Sequence, residues 1–346
     1  MKKIEQKDLF ELKNVAQPVV AGGDIFFTET KMNEKKNTYE TAIYKYTNEG
    51  KVAYGDDGTV NSSLQVSPDG KWISFVSNEG EDKIPQLKIQ SVTGGKAIAL
   101  TKEKKGVSVY VWGKDSQSIY YQTTKADEEE KKEEFPQPII VEKTTYRFDG
   151  GSFLPNKETT QIKQVEVATK EVKTLFETEE SIFFRDVLHD GGSLVVDRDL
   201  SNIRWTLDSA EACYVDVATG DIHPILEAGS DESYRYMLDS KEGVILAYNS
   251  GEHGFVTQVD IVFNKEGQPG TEGSILNLTS GLDVEWGDWL VADFQQSVTG
   301  VEPQWMDEES FLVSASVEGK IVLYRLFLDG RNEVLFDKEV HITGAK

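Results

Sequence analysis

The sequence predicts an all-β fold, a β-propeller built from four-stranded antiparallel blades. Three observations point there. A strand grammar recurs with a period of about 40 residues, the length of one four-stranded blade. Asp-Gly and Gly-Gly pairs fall between short runs rich in Val, Ile, Tyr and Phe, as tight hairpin turns require. No long stretch carries the 3.6-residue apolar period of a packed helix.

Taken in order, the chain opens with at most one short helical turn over residues 6–14. A first unit follows over 17–56, where Ile43 and Tyr46 bound a third strand and Asn48-Glu49-Gly50 closes it with a turn. The second unit, 60–101, is the clearest. Asp69-Gly70 separates the strand at Leu64-Gln65-Val66 from the run 72–76, and Gly94-Gly95 joins a second strand pair at 87–89 and 97–100. The third unit spans 106–178 and has its third strand at 165–167, before the turn Ala168-Thr169-Lys170. The fourth, 180–228, repeats the pattern through 182–187, 193–197, 213–217 and 224–226, with a turn at Thr219-Gly220-Asp221. The fifth, 232–279, has strands at 236–238, 244–248, 256–263 and 275–278. The sixth, 300–337, places Pro303-Gln304-Trp305 first, then 311–315, 321–328, the turn Asp329-Gly330, and 333–336. A large sandwich or a β-helix competes for the same strands, but period and turn chemistry favour one propeller domain over 1–346.

The third unit is too long by its stretch 125–157. It holds the charged block KADEEEKKEEF, then Pro136-Gln137-Pro138, then an aromatic and Gly-rich run. A charge block of this kind reads as a solvated loop, and a long insertion in a compact domain is either functional or unstructured.

Length and charge set further bounds. The chain has 346 residues, 38% of them hydrophobic, so it can build a substantial core. Sixty acidic residues against 37 basic ones give a formal net charge of −23. A surface this acidic repels phosphate backbones, which excludes nucleic acid as a partner. Cys213 is the only cysteine, so neither an internal disulfide nor a Cys-x-x-Cys site is available. The start MKKIEQKDLFELK has no apolar core of a signal peptide, and no window approaches a membrane span. These features lead us to expect a cytoplasmic protein with no membrane partner.

Catalytic motifs are missing from the sequence. Gly150-Gly151-Ser152-Phe153-Leu154 comes nearest to a Gly-x-Ser-x-Gly nucleophile elbow, but it lacks the closing glycine and the strand-to-helix setting. His189, His223, His253 and His341 fall at strand ends or turns with no partner in a motif. Neither a zincin helix, a P-loop nor an EF-hand spacing occurs, so no metal site and no cofactor are expected. We expect no catalytic residue in this chain and no hydrolysis by it alone.

Several segments resemble a known family. Residues 67–76 (SPDGKWISFV) resemble the blade signature shared by prolyl oligopeptidase propellers and TolB-like propellers. Residues 145–154 (TYRFDGGSFL) resemble a segment in the third blade of bacterial acylaminoacyl peptidases, with Arg147 in place of Lys and Ser152 in place of Gly. Residues 302–311 (EPQWMDEESF) and 323–330 (LYRLFLDG) resemble a later blade of that family, although Met306-Asp307-Glu308-Glu309 departs from the usual Ser-Pro-Asp-Gly turn. The resemblance implies the propeller of a serine peptidase of the prolyl oligopeptidase family, S9. It further implies seven blades in the complete domain, of which six are recognisable here, and a C-terminal α/β-hydrolase domain as the partner. That domain would carry the Ser, Asp and His, and the propeller would admit only short peptide substrates. A homo-oligomer stays open for the complete enzyme, as do a stand-alone TolB-like scaffold for protein partners and a propeller enzyme with its site in the central channel, which convergent Asp, Glu, Arg or His side chains at the channel mouth would support. If the seventh blade is missing, the ring should be gapped or closed in an unusual way.

One loop supplies candidate substrate-facing residues: Tyr146, Arg147 and Asp149. Glycines beside them permit tight folding, and the guanidinium fork of Arg147 suits a substrate carboxylate or carbonyl. Asp149 completes the turn or pairs with Arg147. The competing reading has Tyr146 and Phe148 packing the insertion onto a neighbouring blade.

Overall fold

The computed structural model describes residues 3–54, 60–126, 138, 140–143, 146–147, 158–188, 191–206, 209–265, 274–291 and 300–346. A short 3-10 helix, Gln6–Glu11, precedes six antiparallel sheets. The first holds β1 (Lys13–Ala21), β2 (Asp24–Asn33), β3 (Thr38–Thr47) and β4 (Gly50–Ala53). In the second are β5 (Asn61–Val66), β6 (Trp72–Ser77), β7 (Gln86–Ser91) and β8 (Ile98–Ala99). The third consists of β9 (Val109–Trp112), β10 (Ser118–Thr124), β11 (Thr160–Glu166) and β12 (Val172–Thr178). The fourth has β13 (Ile182–Val187), β14 (Ser193–Asp199), β15 (Ala210–Asp216) and β16 (Ile222–Pro224), with a four-residue helix α1 (Ser201–Arg204) between β14 and β15. The fifth runs β17 (Ser233–Ser240), β18 (Gly243–Asn249), β19 (Asp260–Lys265) and β20 (Ser274–Asn277). In the sixth, two short strands, β21 (Glu285–Trp286) and β22 (Gln304–Trp305), share the innermost position. Both pair with β23 (Ser310–Val317), which is followed by β24 (Lys320–Phe327) and β25 (Asn332–Phe336).

Each sheet is a meander of consecutive strands, so each is one blade of a six-bladed propeller. The fold is the all-β class read from the sequence. The stretch Glu285–Trp286 lies ahead of the range 300–337 read for the sixth unit, because it shares the innermost position with Gln304–Trp305.

Turn chemistry explains why the hairpins form where they do. In the second blade the Ser67 hydroxyl donates to Asp69 at 2.7 Å, and the Lys71 amide donates to the same carboxylate oxygen at 3.1 Å. The Trp72 amide returns to the Ser67 hydroxyl at 3.0 Å, and Gly70 takes the left-handed φ of +71° that the turn needs. Lys71 and Ser67 together hold the Asp69 carboxyl down to about 2. The sixth blade reaches a similar turn with other residues. Asp307 accepts from the Ser310 hydroxyl at 2.7 Å and from the Glu309 amide at 3.0 Å, and it also pairs with Arg325.

Neighbouring blades bury one another's faces. Phe26 and Ile43 of the first pack with Ile73 and Phe75 of the second. Leu87 and Ile89 of the second pack with Tyr110 and Tyr121 of the third. Ile162 and Phe176 of the third meet Phe184 and Val196 of the fourth. Val195 and Tyr214 meet Tyr234 and Leu246, and Ile245 and Phe263 meet Phe311 and Tyr324. Full burial of such side chains contributes roughly 1.5–3 kcal/mol each, which makes these five interfaces the main source of stability.

The seam between the sixth and first blades differs. Among the described residues, no cluster of buried apolar side chains bridges it. Instead the segment after β25 returns to the axis and lies against β1. Thr343 donates its hydroxyl to the Val15 carbonyl at 2.6 Å, and the Gln304 side-chain amide donates to the Ala345 carbonyl at 3.0 Å. A Cβ on Gly344 would stand 2.4 Å from Cδ of Pro18, so the backbone passes there at contact distance. The ring therefore closes by polar and backbone contacts.

Candidate functional site

The innermost strands border an open cavity of about 460 Å³ at the propeller axis. Side chains of β1, β5, β9 and β13, the segment 300–304 and the tail 344–346 line it. Their hairpin neighbours hold these strands, but β1, β5 and β13 break register, as does β17 of the fifth blade. The shifts fall at Ala16/Val19, Ser62/Gln65, Phe184/Asp186 and Tyr236/Leu238. A bulge leaves one or more residues unpaired and re-aims their side chains. Two bulge residues, Gln17 and Ser63, take left-handed φ values of +52° and +56° without being glycine. Such backbone is costly and persists where surroundings enforce it. Here the Gln17 side chain accepts the Leu64 amide at 3.1 Å, tying the two bulges together.

Arg185 is the unpaired residue of the β13 bulge. Its Nε donates to Oδ2 of Asp197 on β14 at 2.6 Å, and its guanidinium lies 4.5 Å from the Phe183 ring centroid. Asp197 is buried, and its other oxygen accepts the Tyr236 amide at 2.9 Å. Tyr236 in turn donates its hydroxyl to Asp186 at 2.9 Å, and burial and Asp186 push that phenol far above its ordinary range. Arg185 is thus pinned at Nε and by the ring, with its outer edge on the cavity.

Glu302 lies on the same cavity. The residue as a whole is exposed, and the protein packed around its carboxyl desolvates it only in part. Burial raises its carboxyl above the ordinary range, and Arg185 and Lys346 pull it only part of the way back. Among the described residues no hydrogen bond or ion pair reaches its oxygens.

The residues singled out from the sequence lie elsewhere. Tyr146 and Arg147 are exposed and are not among those lining the cavity, and Asp149 lies outside the described residues. Sequence reasoning missed Arg185 and Glu302. A signal for Arg185 was present in β13, where buried residues fall at Ile182, Phe184 and Val187, a spacing of two and then three. A strand keeps a spacing of two, so the extra residue marks the bulge. Glu302 carries no comparable mark.

No family model matches the chain. Over 186 residues, 51% of its length, it is 28% identical to the uncharacterized peptidase YuxL of Bacillus subtilis, and the match covers 28% of that protein. The fold is similar to the acylaminoacyl peptidase of Pyrococcus horikoshii, with a TM-score of 0.73 at 18% identity over 100% of this chain and 50% of that one. It is also similar to the β-propeller domain of the Trilobed protease from Pyrococcus furiosus, described as having an open velcro topology. There the TM-score is 0.62 at 16% identity, over 96% of this chain and 88% of that one. The chain thus spans about half the length of the acylaminoacyl peptidase it matches, and the likeness covers the propeller fold expected from its blade signatures.

Proposed function

We propose that this chain is the propeller unit of a longer serine peptidase of the prolyl oligopeptidase type, acylaminoacyl-peptidase-like, and that it limits entry to short peptides. The observation that carries this reading is the double match: a whole-chain fold likeness to peptidase propellers, together with sequence identity to a curated peptidase over half the chain. The acylaminoacyl peptidase is about twice as long as this chain, which supports a further hydrolase domain as the partner. That domain would supply the Ser nucleophile, the His base and the oxyanion hole of acyl transfer. A stand-alone scaffold has no such support. No helix among the described residues is long and apolar enough to cross a membrane.

The test uses the complete gene product, translated to its own stop codon. It is expected to hydrolyse acyl-aminoacyl or aminoacyl chromogenic substrates, and a serine-directed phosphonate should abolish the activity. A complete product that hydrolyses neither class overturns the reading. The loop carrying Tyr146, Arg147 and Asp149 is proposed to face substrate. In the complete enzyme, Arg147→Ala should lower kcat/KM with an unchanged melting temperature, whereas unchanged kinetics with lost stability would make Arg147 structural.

A further inference from the structure

The propeller has two ends, and strongly exposed apolar side chains gather at one of them. Strands alternate in direction within each meander, so every turn from second to third strand emerges at the same end. At that end the fourth blade carries α1 and Trp205 between β14 and β15, and the fifth carries Val256 between β18 and β19. The sixth adds Trp289, whose amide donates to the Ser316 hydroxyl at 2.8 Å beside the turn from β23 to β24. Ile203, Trp205, Val256 and Trp289 are between 65% and 75% exposed, and they span three consecutive blades. Beside the turns at the opposite end, Val20, Tyr46 and Met306 are only about half exposed. Apolar groups gathered on one face mark a binding surface, whereas singly scattered ones need no explanation.

The projection that carries Ile203 and Trp205 is fastened from within. Arg204, between them, donates from Nη1 to the Glu232 carbonyl at 2.8 Å and to the Ser209 hydroxyl at 3.2 Å, and from Nη2 to the Ala228 carbonyl at 3.0 Å. The Leu200 carbonyl accepts the Ile203 and Arg204 amides at 3.0 and 2.9 Å, and the Ser201 carbonyl accepts the Thr206 amide at 3.1 Å. Trp205 itself takes left-handed backbone with a φ of +54°. That conformation is costly for a bulky residue and persists only where the surroundings enforce it. A guanidinium bound to three acceptors and a strained backbone thus hold an indole out in water, although burying it would favour the isolated domain.

We propose that this end of the propeller docks the second domain of the longer protein, with Trp205 and Ile203 as the anchor that enters an apolar pocket of that domain. The inference rests on the reading of the chain as about half of a longer peptidase, and it adds which end and which residues hold the partner. A linked domain fits better than a second copy. The formal charge of −23 on each chain opposes self-association, whereas a domain on the same chain meets the patch at high effective concentration. An aromatic side chain already fixed in place needs little ordering on binding, which is what an interface hot spot exploits.

Oxidative footprinting read by mass spectrometry tests it, on the complete gene product and on the 346-residue chain. Oxidation of Trp205 should be about tenfold slower in the complete product, as exclusion of water from an anchor requires, while Met306 at the opposite end reacts equally in both. Trp205→Ser in the complete product should restore fast oxidation of Trp289, because losing the anchor frees the whole patch. The same substitution should leave the melting temperature of the 346-residue chain unchanged, since most of the side chain lies in solvent there. Equal oxidation of Trp205 in both proteins, a Trp289 that stays shielded in Trp205→Ser, or a clear fall in the chain's melting temperature overturns the proposal. So does shielding of Trp205 in the 346-residue chain that disappears on dilution, the mark of a second copy. None of these readouts uses hydrolysis. A complete product that shields Trp205 and cleaves nothing overturns only the peptidase reading, and one that cleaves while Trp205 stays exposed overturns only the anchor.

Discussion

Asp197 joins two neighbouring blades through its two carboxylate oxygens, one accepting Nε of Arg185 and the other the backbone amide of Tyr236. The carboxylate is 2% exposed, whereas the Arg185 side chain is 33% exposed. Removing the carboxylate leaves the Tyr236 amide and the guanidinium without partners. Asp197→Ala is therefore expected to lower unfolding free energy by about 3 kcal/mol, the range for breaking a buried pair. Asp307→Ala removes a pair that solvent screens and should cost much less. Urea denaturation of the two variants checks the ranking, and equal losses would contradict it.

Glu302 gives a pH-dependent signature. Its folded value is raised, so the folded state holds the proton more tightly than the unfolded state. Stability attached to this group is present at low pH and is lost as pH rises through the raised folded value. Glu302→Gln should raise the melting temperature near pH 7 and leave it nearly unchanged near pH 3 and below, where both states are protonated. Equal effects at both pH values would show that the carboxyl is not desolvated.

Much of the fold was legible because blades declare themselves through turns. Asp69-Gly70 and Asp329-Gly330 mark hairpins by residue type, and the apolar runs beside them mark strands. The closing segment was not legible. Thr343, Gly344 and Ala345 carry no strand pattern, and their contacts are with Val15, Pro18 and Gln304, far away in sequence. The axial site was hidden for a related reason. Its bulges set Gln17 and Ser63 in left-handed backbone without glycine, and Arg185 and Glu302 reach one cavity from blades distant in the chain. The loop of Tyr146 and Arg147 drew notice because its composition is unusual, whereas Glu302 sits in a segment read only as the approach to a strand.

Two glycines separate global from local strain. A Cβ on Gly243 would lie 2.1 Å from the Asn264 carbonyl oxygen, at a φ of +154°. Gly243→Ala must move backbone in the fifth blade, and a loss of roughly 2–3 kcal/mol is expected. Gly344→Ala pushes only the closing segment off Pro18. It should lower protection of the β1 amides from hydrogen exchange while leaving the fifth-blade amides unchanged. Uniform loss of protection in both blades would contradict a seam closed by the tail.

Cys213 reports on the packing between the third and fourth blades. It is fully buried, and burial pushes its thiol up to about 12. Reactivity follows the thiolate and its exposure. Labelling by a thiol reagent at pH 8 should therefore track unfolding and be absent from the native chain. Rapid native labelling would contradict the packing of Phe184 and Val215 around it.

The central claim is that the propeller admits short peptides to a hydrolase domain. The most direct measurement is kcat/KM of the complete gene product on a series of unstructured peptides sharing one cleavage site and lengthening from about five to about fifty residues, where a tenfold change corresponds to about 1.4 kcal/mol of transition-state stabilisation. Efficient cleavage of the short members is expected, with at least a tenfold fall once the peptide outgrows the path through the propeller. Equal kcat/KM across the series would contradict it.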